Sequence, residues 1–135
     1  MAGTIKCEIV TPVKQVYEAD AAFAAVPGIS GEIGVLDMHA PTISTLGEGE
    51  VRVTPEEGAE PVHFAISGGY VEIDGKKVIV LANRAEKVAD IDAAAVEAKV
   101  AEFEAALSAM AEDDSKRAYA KQELDWNHLL QKLSA

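Results

Sequence analysis

The chain has 135 residues, enough for one ordinary domain or for one small domain with an appendage. Lysine and arginine total 12 against 23 aspartates and glutamates, so the formal net charge is −11. This acidity argues against nucleic-acid binding and against direct docking on an anionic membrane, because both need a basic surface. The 49% hydrophobic content is typical of a globular protein.

A single cysteine, Cys7, excludes a disulfide framework and a multi-cysteine metal site, and it fits a reducing compartment. Uncharged stretches such as 21–31 and 38–47 are about half the roughly 20 residues that a membrane-spanning helix needs. Residues 1–4 show neither the basic nor the apolar region of a signal peptide. We therefore expect no direct membrane insertion, and contact with a membrane only through a protein partner.

Glycine and proline divide the sequence near Arg84. Every glycine lies at or before Gly75 and every proline at or before Pro61. These residues are typical of turns and loops, whereas their absence is typical of helices. We predict one domain over residues 1–85 and a helical domain over residues 86–135.

The first half has the pattern of short strands. Ile5, Cys7 and Ile9 alternate with polar residues, Asp74-Gly75 is a hairpin signal, and the run 78–81 indicates a buried strand. Gly68-Gly69 is predicted to form a tight bend between strands. Roughly eight to ten strands at this spacing predict an antiparallel β-sandwich or flattened barrel within an α+β protein.

The second half predicts two helices in an antiparallel hairpin. Asp90 is the expected N-cap, with Asp92 in the first turn, and residues 113–115 are expected to form the turn between the helices. The first helix has an apolar seam, and the second has an apolar repeat of seven residues. The seam is Val96, Val100, Phe103, Leu107 and Met110, and the repeat is Tyr119, Trp126 and Leu133.

Charge is unevenly distributed across this hairpin. Residues 86–114 carry nine acidic side chains against Lys87 and Lys99, whereas residues 115–135 have an excess of basic side chains. Two interpretations stay open at this point. The helices complement each other electrostatically, or the second helix leaves the first and meets an acidic partner.

Catalytic and metal motifs are not found in the sequence. His39, His63 and His128 do not have the spacing of metal ligands, and no cysteine lies near any of them. Ser67-Gly68-Gly69 lacks the glycine at position 65 that a nucleophile elbow needs, and no phosphate-binding loop is present. We predict a binding or structural subunit without a catalytic residue, a metal or a cofactor.

The ordered set of short motifs resembles the epsilon subunit of the bacterial F-type ATP synthase. Each motif is weak alone, but their order, their spacing and the trailing helices agree over nearly the whole chain. The motifs are Val10-Thr11-Pro12, Pro27-Gly28, the run 31–36, His39-Ala40-Pro41, the run 49–53, the run 67–72 and the run 80–83.

This resemblance implies a central-stalk rotor subunit that binds gamma, rests on the ring of c subunits and couples proton flow to ATP synthesis. It implies a peripheral location at the cytoplasmic face of the bacterial inner membrane. The C-terminal helices would reach the alpha and beta subunits and restrain ATP hydrolysis.

By the same resemblance, the loops 28–34 and 38–43 would form the end of the sandwich that touches the c ring. Glu32 matches the family position that faces the polar loop of c, where its carboxylate would pair with a basic residue. The other implied c-ring contacts are Met38, His39, Ala40 and Pro41.

The resemblance is weaker at the two regulatory regions. Some family members bind ATP through an I/L-D-x-x-R-A motif, and Ile91 and Asp92 match its start. Alanine replaces the arginine at position 95, so we predict weak or absent ATP binding, with Asp92 capping the helix. Contacts with the alpha and beta subunits would use a modest basic cluster, so we expect weak inhibition of hydrolysis or none; the cluster is Lys116, Arg117 and Lys121.

Two other classes of function remain as alternatives. One is a nucleotide-sensing module whose C-terminal hairpin responds to ATP, and the missing arginine counts against it. The other is an enzyme built on the sandwich with Glu32 and His39 as acid and base, and it lacks a third group to orient them.

Overall fold

The computed structural model describes residues 3–135. The chain divides after Val88 into a β-domain and a helical domain. This division falls later than the predicted boundary at Ala85 because residues 85–87 still pair with residues 64–66 of the preceding strand. The last strand therefore belongs entirely to the β-domain.

Within residues 3–88, eight strands form the β-domain. Strands that follow one another in the chain are mostly joined by short turns. They are β1 Ile5–Val10, β2 Gln15–Ala21, β3 Phe23–Gly28, β4 Gly31–Val35, β5 His39–Thr45, β6 Gly49–Thr54, β7 Val62–Gly75 and β8 Lys77–Lys87.

The strands follow the order β2-β1-β8-β7-β6-β3-β4, and β5 pairs with β7. Strand β7 pairs with β6 over residues 62–66 and with β5 over residues 70–75, so it takes part in both layers. All of these pairings are antiparallel except that between β1 and β8, which is parallel. The predicted β-sandwich is confirmed. The parallel pair joins strands that are far apart in the chain, so no local pattern indicates it.

Gly68 and Gly69 lie where β7 changes partner. Their φ angles are 66° and 108°, in the region that favours glycine. A Cβ atom at Gly69 would overlap the carbonyl oxygen of Leu81 on β8. The predicted bend therefore exists, but it lies inside one continuous strand rather than between two strands.

The core fills the space between the two layers with small and branched side chains. Phe64 is its largest fully buried residue, and its ring centroid lies 4.9 Å from that of Tyr17 on β2. Cys7 is fully buried in the same cluster. Burial, and secondarily the charge of Glu8, raises the pKa of this thiol to about 12.

The helical domain contains α1 Ala93–Ala109 and α2 Arg117–Ser134. Asp92 is the N-cap of α1, and its carboxylate accepts hydrogen bonds from the backbone N–H groups of Ala94 and Ala95. The predicted cap at Asp90 is wrong, because residues 88–90 form a separate turn of 3-10 helix before α1 begins.

The two helices pack against each other as the predicted hairpin. The guanidinium of Arg117 donates a hydrogen bond of 3.2 Å to the carbonyl oxygen of Leu107 near the end of α1. The heptad repeat is only partly buried, since Trp126 is 5% exposed and Tyr119 is 61% exposed. No helix within residues 3–135 is long and apolar enough to cross a membrane.

Candidate functional site

The turn between β3 and β4 positions Glu32 at one end of the sandwich. Gly28 pairs with Gly31, which leaves Ile29 and Ser30 at the tip, and the Ile29 side chain is 70% exposed. The backbone N–H of Ile29 donates to the carbonyl of Thr45 at the end of β5. The hairpin tip, which we call the Glu32 end, is thus fixed to the last residue of β5.

Glu32 is bound by an arginine of the same chain. The two guanidinium nitrogens Nη1 and Nη2 of Arg52 donate to Oε2 and Oε1 of Glu32, at 2.9 and 2.6 Å. These hydrogen bonds lower the pKa of Glu32 below its ordinary value of 4.5 and raise that of Arg52. Both groups are therefore ionised at neutral pH.

Two further residues extend this contact along the sheet. Oε1 of Glu50 lies 3.6 Å from Nη1 of Arg52, and its Oε2 lies 3.1 Å from Nδ1 of His63. Glu32, Arg52, Glu50 and His63 therefore form a row of polar contacts across β4, β6 and β7. The row joins positions that are distant in the chain, so no local sequence pattern indicates it.

The turn between β4 and β5 holds Met38 and His39. Met38 has a φ of 68°, which is uncommon for a residue with a side chain, and it is 75% exposed. Its N–H donates to the carbonyl of Gly75, and Lys76 pairs with Asp37 at 2.8 Å beside it. The His39 ring contacts the carbonyl oxygen of its own neighbour, Ala40, at 2.8 Å.

The structure separates the two predicted groups of c-ring residues. Glu32 lies near the last residue of β5, whereas His39 is the first residue of β5 and pairs with Gly75. Strand β5 has seven residues, which span about 20 Å at the rise of an antiparallel strand. Glu32 and His39 each contact another residue rather than each other, which removes the geometric basis for an acid–base pair.

An exposed row of apolar side chains lies on the outer face of β5, β7 and β8. Tyr70 pairs with Leu81, and Glu72 pairs with both Ile43 and Ile79, so these side chains are neighbours on one face. Ile43 is 74% exposed and Tyr70 is 49% exposed. We call Ile43, Tyr70, Ile79 and Leu81 the outer apolar stripe. Ile79 and Leu81 are half-buried, and the exposed Glu72 lies between Ile43 and Ile79 on this face.

The regulatory candidates are distributed over the hairpin. Lys116 and Arg117 begin α2 and Lys121 follows one turn later, but Arg117 already donates to Leu107 of α1. Ile91 directly precedes the N-cap Asp92, and Oδ1 of Asp92 accepts both backbone hydrogen bonds. The predicted capping role of Asp92 is confirmed.

A family model of the ATP synthase delta/epsilon chain β-sandwich domain matches residues 4–88, which is nearly the whole β-domain. The chain belongs to the ATP synthase epsilon-chain family. The family predicted from the sequence is thereby confirmed, and with it the assignment to the ATP synthase central stalk at the level of the family.

Three curated epsilon chains show how far the similarity extends. That of Carboxydothermus hydrogenoformans is 47% identical over 92 residues, covering 68% of this chain and 67% of its own. Epsilon chain 1 of Methylococcus capsulatus is 40% identical, covering 90% and 84%. That of Herminiimonas arsenicoxydans is 35% identical, covering 100% and 94%, so the similarity includes the hairpin.

Two solved assemblies contain chains with the same fold. One is the Euglena gracilis mitochondrial ATP synthase OSCP/F1/c-ring structure, with a TM-score of 0.78, 21% identity and coverage of 96% of this chain and 80% of the other. The second is the Tetrahymena thermophila mitochondrial ATP synthase central stalk and c-ring, with a TM-score of 0.62, 15% identity and coverage of 99% and 98%. At these identities the likeness shows the fold alone.

Proposed function

We propose that this chain is a non-catalytic subunit that joins gamma to the c ring in the rotor of a bacterial F-type ATP synthase. It is peripheral to the cytoplasmic face of the inner membrane, and it couples proton flow to ATP synthesis. Membership of the epsilon-chain family supports the role, and the outer apolar stripe is the observation that carries the docking.

Gamma docks on the outer apolar stripe in this proposal. Strands β7 and β8, which carry three of its four residues, are paired with strands on both sides, whereas β5, which carries Ile43, pairs with β7 alone. Burying exposed branched and aromatic side chains contributes about 25 cal/mol per Å² of apolar area. Ile43 and Tyr70 are the most exposed members, so a partner would bury the largest apolar area at these two residues.

The c ring meets the Glu32 end, where the family resemblance places its contact. Met38, His39, Ala40 and Pro41 lie at the other end of β5. A ring surface in contact with Glu32 would therefore lie farther from these four residues. We assign these four residues to the edge of the gamma contact, because they begin the strand that carries Ile43.

Size-exclusion chromatography of the full chain with purified gamma tests the docking. We expect the wild type to co-elute with gamma and Ile43→Glu to weaken the complex about tenfold or more, because a charge replaces a buried apolar side chain. Val13→Glu is the matched control, since Val13 is 89% exposed on the turn between β1 and β2. Equal binding by both variants would contradict the assignment of the stripe to gamma.

The hairpin has a secondary, regulatory role in this proposal. In the folded hairpin Arg117 is engaged by α1, which leaves Lys116 and Lys121 to meet acidic segments of the alpha and beta subunits. The nucleotide-sensing alternative has Ala95 where the motif has arginine, so we expect no ATP binding below millimolar concentration. Isothermal calorimetry of the full chain with ATP measures this directly.

A further inference from the structure

The family resemblance implies that the Glu32 carboxylate pairs with a basic residue of the c ring, but this chain supplies a basic group itself. Arg52 donates to both carboxylate oxygens in a fork, and such a bidentate pair fixes the plane of the carboxylate as well as its position. The Glu32 side chain is still 51% exposed. It is thus held by Arg52 and accessible to a partner at the same time.

The sheet register allows Arg52 to reach across a whole strand. Ala25 of β3 pairs with Arg52 on one side and with Gly34 of β4 on the other, and Glu32 lies two residues before Gly34. Neither Ala25 nor Gly34 has a side chain long enough to obstruct the contact. A larger residue at position 25 would stand in the path of the guanidinium.

Arg52 also has a second, longer ion-pair contact, at 3.6 Å, with Glu50. Glu50 lies two residues earlier on the same face of β6, and its carboxylate contacts both Arg52 and His63. The guanidinium therefore contacts two carboxylates, that of Glu32 on β4 and that of Glu50 on its own strand, β6. This arrangement defines where the Glu32 carboxylate stands without any contribution from a partner.

A carboxylate oxygen has two lone pairs, and the fork uses one on each oxygen. We propose that Arg52 is a positioning residue that holds Glu32 so that its remaining lone pairs accept hydrogen bonds from the c ring. Because Arg52 already supplies a cationic partner to Glu32, the group that fits is a neutral donor, an amide, a hydroxyl or a backbone N–H. This inference rests on the proposed function, which places the Glu32 end against the ring.

The test uses F1 containing this chain, titrated onto membrane vesicles from which F1 has been stripped, with affinity as the readout. Arg52→Gln removes the fork, Glu32→Gln removes the carboxylate, and the double variant Glu32→Arg with Arg52→Glu exchanges the two partners. We expect each single variant to weaken binding roughly fivefold, the effect of one hydrogen-bonded contact. The exchanged pair should restore the melting temperature of the chain, because the ion pair forms again. It should not restore the affinity for the vesicles, because position 32 then presents a hydrogen-bond donor to the ring instead of an acceptor.

Three results would overturn the inference. If Arg52→Gln binds more tightly, Glu32 seeks a partner cation and Arg52 competes with it. If the exchanged pair restores affinity as well as stability, the ion pair is merely structural. If neither single variant changes affinity, the Glu32 end does not carry the contact.

Lys76→Gln is the matched control, since it also removes one positive charge from an exposed ion pair, with Asp37 at the other end of β5. We expect it to leave affinity for the vesicles unchanged. Co-elution of the wild-type chain with gamma distinguishes failure of this inference from failure of the proposed function. Loss of the Arg52 effect with gamma binding intact rejects only this inference, whereas failure to bind gamma rejects the proposed function.

Discussion

At the scale of single residues, burial rather than residue type decides what Cys7 can do. The thiol is fully buried, and burial raises its pKa to about 12, so it stays protonated and out of reach of reagents. At pH 8 we expect alkylation of the native chain to be at least about 100-fold slower than in denaturant, because reaction requires unfolding. Mass spectrometry after timed alkylation measures the two rates.

The same pKa shift predicts a loss of stability in alkaline solution. The unfolded thiol loses its proton near the ordinary value of 9.0 whereas the folded thiol retains it, so the free energy of unfolding falls as pH rises above 9 towards 12. The variant Cys7→Ala should lack the part of this pH dependence that comes from the thiol. A native thiol that reacts as fast as the unfolded one would contradict the buried position.

Gly69 is the residue on which the bend of β7 depends. Gly69→Ala introduces a Cβ that overlaps the Leu81 carbonyl and demands a φ of 108°, so we expect a loss of about 3 kcal/mol or more in the free energy of unfolding. Gly58→Ala is the control, because Gly58 has a φ of 82° but open space around it. It should cost only about 1 kcal/mol. Urea denaturation compares the two, and similar losses would show that overlap is unimportant.

At the scale of elements, the start of α1 depends on one carboxylate. Asp92→Ala removes the acceptor of two backbone N–H groups, and we expect it to destabilise the hairpin by about 1 kcal/mol. Asp90→Ala should have less than about half this effect, since Asp90 precedes the helix. Far-ultraviolet circular dichroism during thermal unfolding follows the helices. A larger loss at Asp90 would restore the N-cap that the sequence predicted.

Arg117 stabilises α1 at the cost of its own helix. A cation in the first turn of α2 is unfavourable for the dipole of that helix, whereas the same cation near the last carbonyls of α1 is favourable. The hydrogen bond to Leu107 explains why arginine stands there. The basic start of α2 is therefore part of the folded hairpin, and extension of the hairpin would have to release it.

At the scale of the whole molecule, the chain divides after Val88 into two compact units, to which we assign docking and regulation respectively. A chain ending at Val88 keeps all of β8, whereas one ending at Ala85 would remove residues that pair with β7. We expect the chain ending at Val88, within the complete ATP synthase, to leave ATP hydrolysis nearly unchanged. The basic cluster of α2 is small, and Arg117 already donates a hydrogen bond to α1. A several-fold rise in hydrolysis would show that the hairpin is a strong inhibitor.

The class of fold, the helical hairpin and the family were predictable from the amino-acid sequence. These follow from local patterns, since alternating strands, Gly-Pro punctuation and ordered motifs can all be read along the chain. Two details of the sequence-based prediction differ from the structure: the β-domain extends beyond Ala85, and Asp90, one of the two residues expected to cap α1, does not cap it. They depend on pairing with distant residues or on one extra turn, and neither changes the local pattern.

The contacts of the candidate site residues depend on the tertiary structure. It joined Glu32 to Arg52, twenty positions along the chain, and it placed Met38 and His39 at the other end of β5. It also placed Ile43 of β5 and Ile79 of β8 on one face, on either side of Glu72 of β7. Register between distant strands creates these neighbours, and register is fixed by the packing of the whole core rather than by any short stretch of sequence.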